Sequence, residues 1–445
     1  MTALAVAVVA TVVAPGAAAA LVGAHTALSS RAGYRERFVT RVTQASLFVH
    51  FIAVVAAAVL AGTSPPHGSL LAVSPWPEEG GGVLLAGVDA ASLTMLALTA
   101  ALASAVARFS KTYLHREPGH GRFFLLFNVF VTGMSVLSLA SRLDHLFVGW
   151  ELVGLSSVLL VGFFHDRVAP VTNAVRVLAT YRACDAGMLA AVITLHVTQA
   201  HHALDLPLAA HEHAGTLVGA MVLLAATGKA GALPFGSWLP RAMEGPTPSS
   251  AVFYGGLSVH AGVFLLLRAS PLLRGSLALT VATAALGLLT AGYGSVVGRV
   301  QPDAKSRLAY AIMVHVGLMF CEIAAGLTRV ALVHLVLHAA LRTAQLLRAP
   351  SFLHDSADRP AKRTTPRWVR PLLGHALHGF YLDAWVDRLV VRPVLALARA
   401  ARAVEEGWVA IVAGTDDEDE RGEEEHGARG SLPPSTRDER HGVRR

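Results

Sequence analysis

Apolar stretches of roughly 20 residues recur along this chain, and no other feature constrains its fold as strongly. They run over 3–28, 42–62, 87–108, 123–140, 145–164, 172–197, 215–239, 248–267, 275–298, 308–326 and 329–349. Each is long enough to cross a bilayer as a helix. In lipid every backbone N–H and C=O must be satisfied within the protein, so only helices and closed barrels span it. The alternating pattern of barrel strands is absent. The expected fold is an all-α membrane protein, a polytopic bundle of about 11 transmembrane helices. Composition agrees: 53% of the 445 residues are hydrophobic and 15% are charged, against about 25% charged in a soluble domain. The first stretch lacks the basic region of a signal peptide, and another span follows soon after, so it is read as the first span.

The net charge of +7 is a topology signal before it is a nucleic-acid signal. Arg31, Arg35, Arg37 and Arg41 follow the first span, and Arg108, Lys111, Arg116 and Arg122 the third. Arg167 and Arg241 follow the fifth and seventh spans, and Arg299, Lys305 and Arg307 the ninth. The loops between are poor in basic residues: 63–86 carries Glu78 and Glu79, and 198–214 has no Lys or Arg. Arg268, Arg274 and Arg329 run against the trend. The bias places the N-terminus outside and the loop bearing Lys362, Arg363, Arg367 and Arg370 in the cytoplasm. No nucleic-acid partner is expected. Cys184 and Cys321 lie in apolar stretches without ligand-like spacing and are read as free packing residues. With no CxxC, nucleotide loop or haem signature, neither redox chemistry nor a metal site is expected in this chain.

Beyond the spans, 351–370 reads as a polar cytoplasmic linker and 371–414 as an amphipathic helix lying on the membrane or against another subunit. Residues 415–445 open with an acidic run, end basic, and are expected to be disordered.

Ionisable residues inside spans are costly and mark ion or proton paths. Glu151 is the one ionisable residue in the middle of the fifth span, in "LFVGWELVGLSSVLL". Arg182 and Asp185 share a face of the sixth span and can pair; Arg176, nearer the cytoplasm, is expected to snorkel. Lys229 stands in "TGKAGALPFGSWLPRAMEGPTPSS", where Pro234 breaks the helix and Pro246 and Pro248 end one helix and start the next. A broken helix near 229–248 offers backbone groups to an ion, and a buried amine there can exchange its proton. His260, His315 and Glu322 are further intramembrane candidates, although a lone histidine in a span more often packs by hydrogen bonding. His334 and His338 lie four apart on one helix face, with Arg342 a turn beyond. Zinc would need a third ligand, and none is close in sequence, so a proton relay is the better functional reading. Each of these residues also has a structural alternative as a helix-packing group.

"GWELVGLSSVLLVGFF", "GKAGALPFGSWLPRAMEGPTPSSA" and "DAKSRLAYAIMVHVGLMF" resemble the antiporter-like membrane subunits of respiratory complex I and of Mrp cation/proton antiporters, over roughly residues 85–350. Within that superfamily, "GPTPSSAVFYGGLSVHAGVFLLLR" and "ALVHLVLHAALRTAQLLRAPSFLHD" look most like DabB-type membrane subunits of DabAB inorganic carbon transporters. The resemblance implies an inverted-repeat fold, with N-terminal helices over 1–110 and a proton-translocating core over 111–350. It implies that Glu151 pairs with Lys229, that Lys305 is the lysine of a D-x-K-R motif, and that His334 and His338 are the histidine pair of a later central helix. Arg182 and Asp185 match a motif in which Cys184 replaces a glycine. Two departures stand out: Tyr254 occupies a position that is histidine in complex I subunits, and Arg342 replaces a lysine. After Arg348 no second broken helix follows, so about one and a half repeats are expected, with the ion path completed by a partner.

The DabAB resemblance implies a soluble zinc-containing partner, DabA-like, that hydrates CO2. This chain would then conduct protons or sodium in a bacterial inner membrane, with no cofactor of its own. The alternatives are a translocating subunit of an NADH-quinone oxidoreductase or Mrp-type antiporter, and a non-transporting membrane anchor.

Overall fold

The computed structural model describes residues 2–29, 33–63, 69–73, 84–198, 212–349 and 370–413. Within them the chain forms α1 (Ala3–Leu28), α2 (Glu36–Thr63), a hairpin of β1 (Ser69–Val73) and β2 (Leu84–Val88), α3 (Ala90–Tyr113), α4 (His120–Leu139), α5 (Leu143–Val161), α6 (Val168–Val197) and α7 (Glu212–Ala230). There follow α8 (Thr247–Arg268), α9 (Leu277–Gly298), α10 (Ala304–Ala324), α11 (Thr328–Leu347), α12 (Arg370–Leu377) and α13 (Arg392–Ala413). Ten of these helices, all of α1–α11 except α7, are long and apolar enough to span a membrane. The polytopic helical fold is therefore as the apolar stretches require. The hairpin, with Ser69 paired to Val88 in antiparallel register, has no counterpart among the expected elements. Residues 64–68, 74–83 and 199–211 of the loops 63–86 and 198–214, the linker 351–370 up to its last residue, and the tail 415–445 lie outside the described residues.

Burial sorts the helices. The hydrophobic window of α8 is wholly buried, whereas a third of the corresponding windows of α2, α9 and α11 is buried. Helix α8 is thus a central strut and the others present apolar flanks such as Leu288 and Leu337 outward. Part of α8, Ser250–Leu257, is wound as a π-helix, a form frequent at functional sites. It opens with Pro246 as N-cap and Pro248 in the first turn, where proline costs no helical hydrogen bond. At the other end of α8, Arg268 is ion-paired to Asp89, which also caps α3 by accepting from the Ser92 amide at 2.8 Å.

The helix break comes earlier than its prolines suggest. Helix α7 stops at Ala230, and Gly231 takes φ of +65°. The Ala232 amide donates to the Thr227 carbonyl at 2.9 Å and the Gly231 amide to Gly228 at 3.4 Å, the pairing of a Schellman motif. Trp238 Nε1 donates to the Gly228 carbonyl at 2.9 Å, and the Leu233 amide donates to Thr290 Oγ1 at 3.0 Å. These backbone groups, expected to be on offer to an ion, are instead taken up by protein partners, which is how irregular backbone survives at membrane depth.

The C-terminal region corrects the expectation of one amphipathic helix over 371–414. Gly379, Phe380 and Tyr381 all have positive φ, and three successive left-handed residues end a right-handed helix. The helical segment that follows is held by ion pairs: Asp387 with Arg176 at 2.6 Å, and Asp383 with Arg241. Arg176 does not snorkel; its guanidinium forks onto both Asp387 oxygens, at 2.6 and 2.8 Å. Residues 1–392 form one compact unit and 393 onward a second. The second, considered by itself, carries most of α13, an amphipathic helix with an Arg402–Glu406 pair at 2.6 Å one turn apart.

Gly231→Ala places a Cβ at a left-handed position and is expected to cost about 1–2 kcal/mol. The reference is Gly292→Ala on α9, where an added Cβ meets nothing within 4 Å and φ is ordinary. Unfolding midpoints of the two variants in detergent check this, and equal midpoints would contradict the assignment.

Candidate functional site

Lys229 is the residue around which the membrane core is arranged. It occupies the last turn of α7, so the negative end of the helix dipole favours its charge. Its side chain is 1% exposed. Nζ donates to the Trp150 carbonyl at 3.2 Å and lies over two aromatic faces, 4.7 Å from the Trp150 ring centroid and 4.3 Å from that of Tyr181. Gly154, one turn after Trp150 on α5, makes room: a Cβ there would come within 2.7 Å of Nζ. Close contact also joins α6 to α7, where a Cβ on Gly228 would fall 2.3 Å from that of Cys184.

Two carboxylates and a second cation complete the cluster. Arg182 Nη2 donates to Glu151 Oε2 at 2.5 Å and to Asp185 Oδ2 at 3.3 Å. Trp150 Nε1 donates to Asp185 Oδ1 at 2.5 Å, so one indole ties Asp185 to the amine cage. The four ionisable groups sum to zero charge when all are ionised. Among the described residues no carboxylate lies within 4.0 Å of the amine: Glu151 is paired with Arg182, not with Lys229 as the resemblance implied. Glu151 Oε1 is buried with no hydrogen-bond partner among the described residues. Withdrawing an ammonium from water costs several kcal/mol. A desolvated cation–π contact returns about 2 kcal/mol or more. The charged amine is therefore held, but without the salt bridge that would fix it.

A second cluster gathers residues from α8, α10 and α11. His260 Nε2 and His338 Nδ1 are 2.9 Å apart, and Arg342 Nε donates to His338 Nε2 at 3.1 Å. His315 Nδ1 and His334 Nε2 are 2.9 Å apart, and His334 Nδ1 meets Glu322 Oε1 at 2.8 Å. The rings of His315 and His338 stack at 4.6 Å between centroids. The secondary candidates His260, His315, Glu322 and Arg342 are thus brought together with His334 and His338.

Lys305 is left out of both clusters. It is the second residue of α10, ten positions before His315, so about 15 Å along the helix axis from it. Pro234 lies past the end of α7 and Pro246 and Pro248 at the start of α8; the break between them also carries Arg241, paired with Asp383, and Glu244, and neither belongs to the two clusters. Sequence reasoning missed Trp150 and Tyr181. Both are chain neighbours of candidates, preceding Glu151 and Arg182, yet an aromatic residue in an apolar span gives no sign of which ring will face an amine. Tyr254 donates to the Ser157 carbonyl at 3.2 Å and packs edge-on against Trp238, which in turn meets Tyr181.

Comparison with known proteins agrees with this architecture. The family model described as NADH:quinone oxidoreductase/Mrp antiporter, transmembrane, matches residues 140–372, just over half of the chain. NADH-ubiquinone oxidoreductase chain 5 of Cryphonectria parasitica is 34% identical over 274 residues, 61% of this chain and 42% of that protein. The same chain of Halichoerus grypus is 33% identical over 57% of this chain and 42% of its own length. The chain thus spans about two fifths of the length of these relatives. Among solved structures, the membrane-bound sulfane sulfur reductase, an archaeal respiratory membrane complex, has a chain with TM-score 0.66 and 17% identity over 76% of this chain and 70% of that one. The Mrp complex of a Dietzia species has one with TM-score 0.65 and 23% identity over 85% of this chain and 43% of that one. At those identities the likeness concerns the fold.

The cage makes a coupling prediction. Gly154→Ala drives a methyl into Nζ, and small-to-large changes in a packed core cost about 1–3 kcal/mol. Combined with Lys229→Ala, which removes the clashing group, that penalty is expected to shrink. A double-mutant cycle on unfolding measures it; additivity within about 0.5 kcal/mol would contradict the contact.

Proposed function

Because the chain belongs to the NADH:quinone oxidoreductase/Mrp antiporter transmembrane family, we propose that it translocates protons or another small cation across a membrane as one subunit of a larger complex. The observation that carries this reading is Lys229: a fully buried amine, caged by rings and a carbonyl, beside a Glu151–Arg182–Asp185 group whose one net negative charge it balances. A purely structural lysine at this depth would be expected to have its own carboxylate. Here the carboxylates are held by Arg182, whose side chain is 40% exposed. With Arg182 on Glu151, the amine stands alone and can release its proton. With Arg182 withdrawn, both carboxylates become available to the charged amine, which then retains it. Arg182 and Lys229 thus compete for the same two carboxylates, and one proton is loaded and released per exchange.

The partner and coupling reaction are open to two readings. The named relatives are subunits of NADH-ubiquinone oxidoreductases, and the fold neighbours sit in respiratory and Mrp complexes. This supports a redox-driven or antiporter complex ahead of the inorganic carbon reading. In the latter, a DabB-type chain would drive CO2 hydration by a soluble DabA-like protein holding zinc. In both readings the chain resides in a bacterial inner membrane, with its N-terminus outside and its C-terminal tail cytoplasmic.

The test is proton flux, followed with a pH-sensitive dye in membrane vesicles carrying the chain with its co-expressed neighbours. Lys229→Ala is expected to lower flux by about a hundredfold or more, as for loss of a proton-transfer group, with normal membrane levels. Undiminished flux in that variant would leave the anchor reading. Growth of a carbonic-anhydrase-deficient host in ambient air separates the couplings: rescue supports the inorganic carbon reading, and flux without rescue supports the redox or antiporter reading.

A further inference from the structure

The histidine cluster divides into two hydrogen-bonded wires whose proton positions are fixed from their ends. Arginine in a protein is only a donor. Arg342 Nε donates to His338 Nε2, so that nitrogen is the acceptor and the neutral ring carries its proton on Nδ1. His338 Nδ1–H then donates to His260 Nε2. A proton entering this wire would have to bind His338 Nε2, which the guanidinium already occupies, and Arg342 does not release a proton in exchange. The fixed positive charge also opposes a second one on His338. This wire is closed.

The other wire ends on an acceptor. A carboxylate only accepts, so His334 Nδ1–H donates to Glu322 Oε1. His334 Nε2 is left to accept from His315 Nδ1–H. His315 Nε2 remains as the lone pair at the entry. Glu322 Oε2 is buried with no hydrogen-bond partner among the described residues, so the carboxyl has room for a proton.

We propose that the cluster conducts through its His315–His334–Glu322 wire alone, that Glu322 is the terminal proton acceptor, and that Arg342–His338–His260 is a locked wire that holds a fixed charge beside it. The idea rests on the translocation reading above. A proton from water binds His315 Nε2. His315 passes its Nδ1 proton to His334 Nε2, and His334 passes its Nδ1 proton to Glu322. One proton has moved, Glu322 has become a neutral acid, and each ring is neutral with its proton now on Nε2. The ring nitrogens must exchange back before a second transfer, so the wire carries one proton per reset. His334 and His338, though four apart on one helix, therefore have different tasks; their ring centroids are 6.1 Å apart and their partners differ.

The direct test is nitrogen NMR of ring-15N-histidine-labelled full-length chain in lipid nanodiscs, with single histidine substitutions as assignments. In the resting protein His338, His260, His334 and His315 are expected to be Nδ1–H tautomers, the less common form in water. An Nε2–H tautomer at His338 or His334 would overturn the proposal, and this reading needs no variant to be active. In the vesicle flux assay, Glu322→Gln and His315→Gln are each expected to lower proton flux by about a hundredfold, and His260→Gln, which still accepts from His338, to change it by less than about twofold. Collapse of flux in His260→Gln, or full flux in Glu322→Gln, would also overturn it. Lys229→Ala run alongside keeps the two claims apart. Full flux there sinks the translocation reading, whereas loss there with full flux in Glu322→Gln sinks this one alone.

Discussion

The membrane core depends on one unusual accommodation, a lysine ammonium held by a carbonyl and two aromatic faces. Removing that charge from water is unfavourable by several kcal/mol, and the cage offsets only part of it. The surroundings follow from the need to hold it. Gly154 and Gly228 bring α5, α6 and α7 close enough for Trp150 and Tyr181 to reach the amine. Gly231 ends α7 two residues later in a Schellman turn, which puts the negative end of the helix beside Lys229. The same indole that faces the amine donates to Asp185, so the cage and that carboxylate are directly linked.

The two ionisable clusters differ in how they are satisfied. Around Lys229 the charges balance and Arg182 chooses between partners. In the histidine cluster Arg342 and Glu322 are of opposite sign, and each sets the direction of the hydrogen bonds in its own wire. Polar groups in a membrane interior need partners, and both clusters find many of theirs within the protein; among the described residues Glu151 Oε1 and Glu322 Oε2 are buried without a hydrogen-bond partner.

Much of the fold was legible in the sequence because membrane crossing demands length and apolarity, and both are one-dimensional. The spans and the buried charges were visible on that ground. What was not legible depends on angles between helices. The cage rings gave no signal, because nothing in "GWELVG" says which way the Trp150 face turns. The separate destinations of His334 and His338 follow from which partner each ring meets, His315 of α10 for one and His260 of α8 for the other. Arg176 meets Asp387, 211 residues along the chain, and no spacing rule reaches that far. The end of α7 was misplaced for a different reason. Proline is the stronger breaker and drew attention to Pro234, but Gly231 in "GKAGALP" already supplied the left-handed residue that closes a helix. The interruption at Phe380 and Tyr381 lacked any such cue, since bulky residues seldom take positive φ.

The central claim is that Lys229 changes its charge as the protein works. The chain contains four lysines, Lys111, Lys229, Lys305 and Lys362, few enough for side-chain nitrogen NMR of a lysine-labelled sample to resolve each one. With the chain and its partners in vesicles, a proton-motive force is imposed and the Lys229 signal is followed, with Lys229→Arg as the assignment. The account predicts that Lys229 exchanges between ammonium and amine forms under the imposed force while the other three remain ammonium. An Lys229 signal that stays ammonium throughout, with flux running, would contradict it.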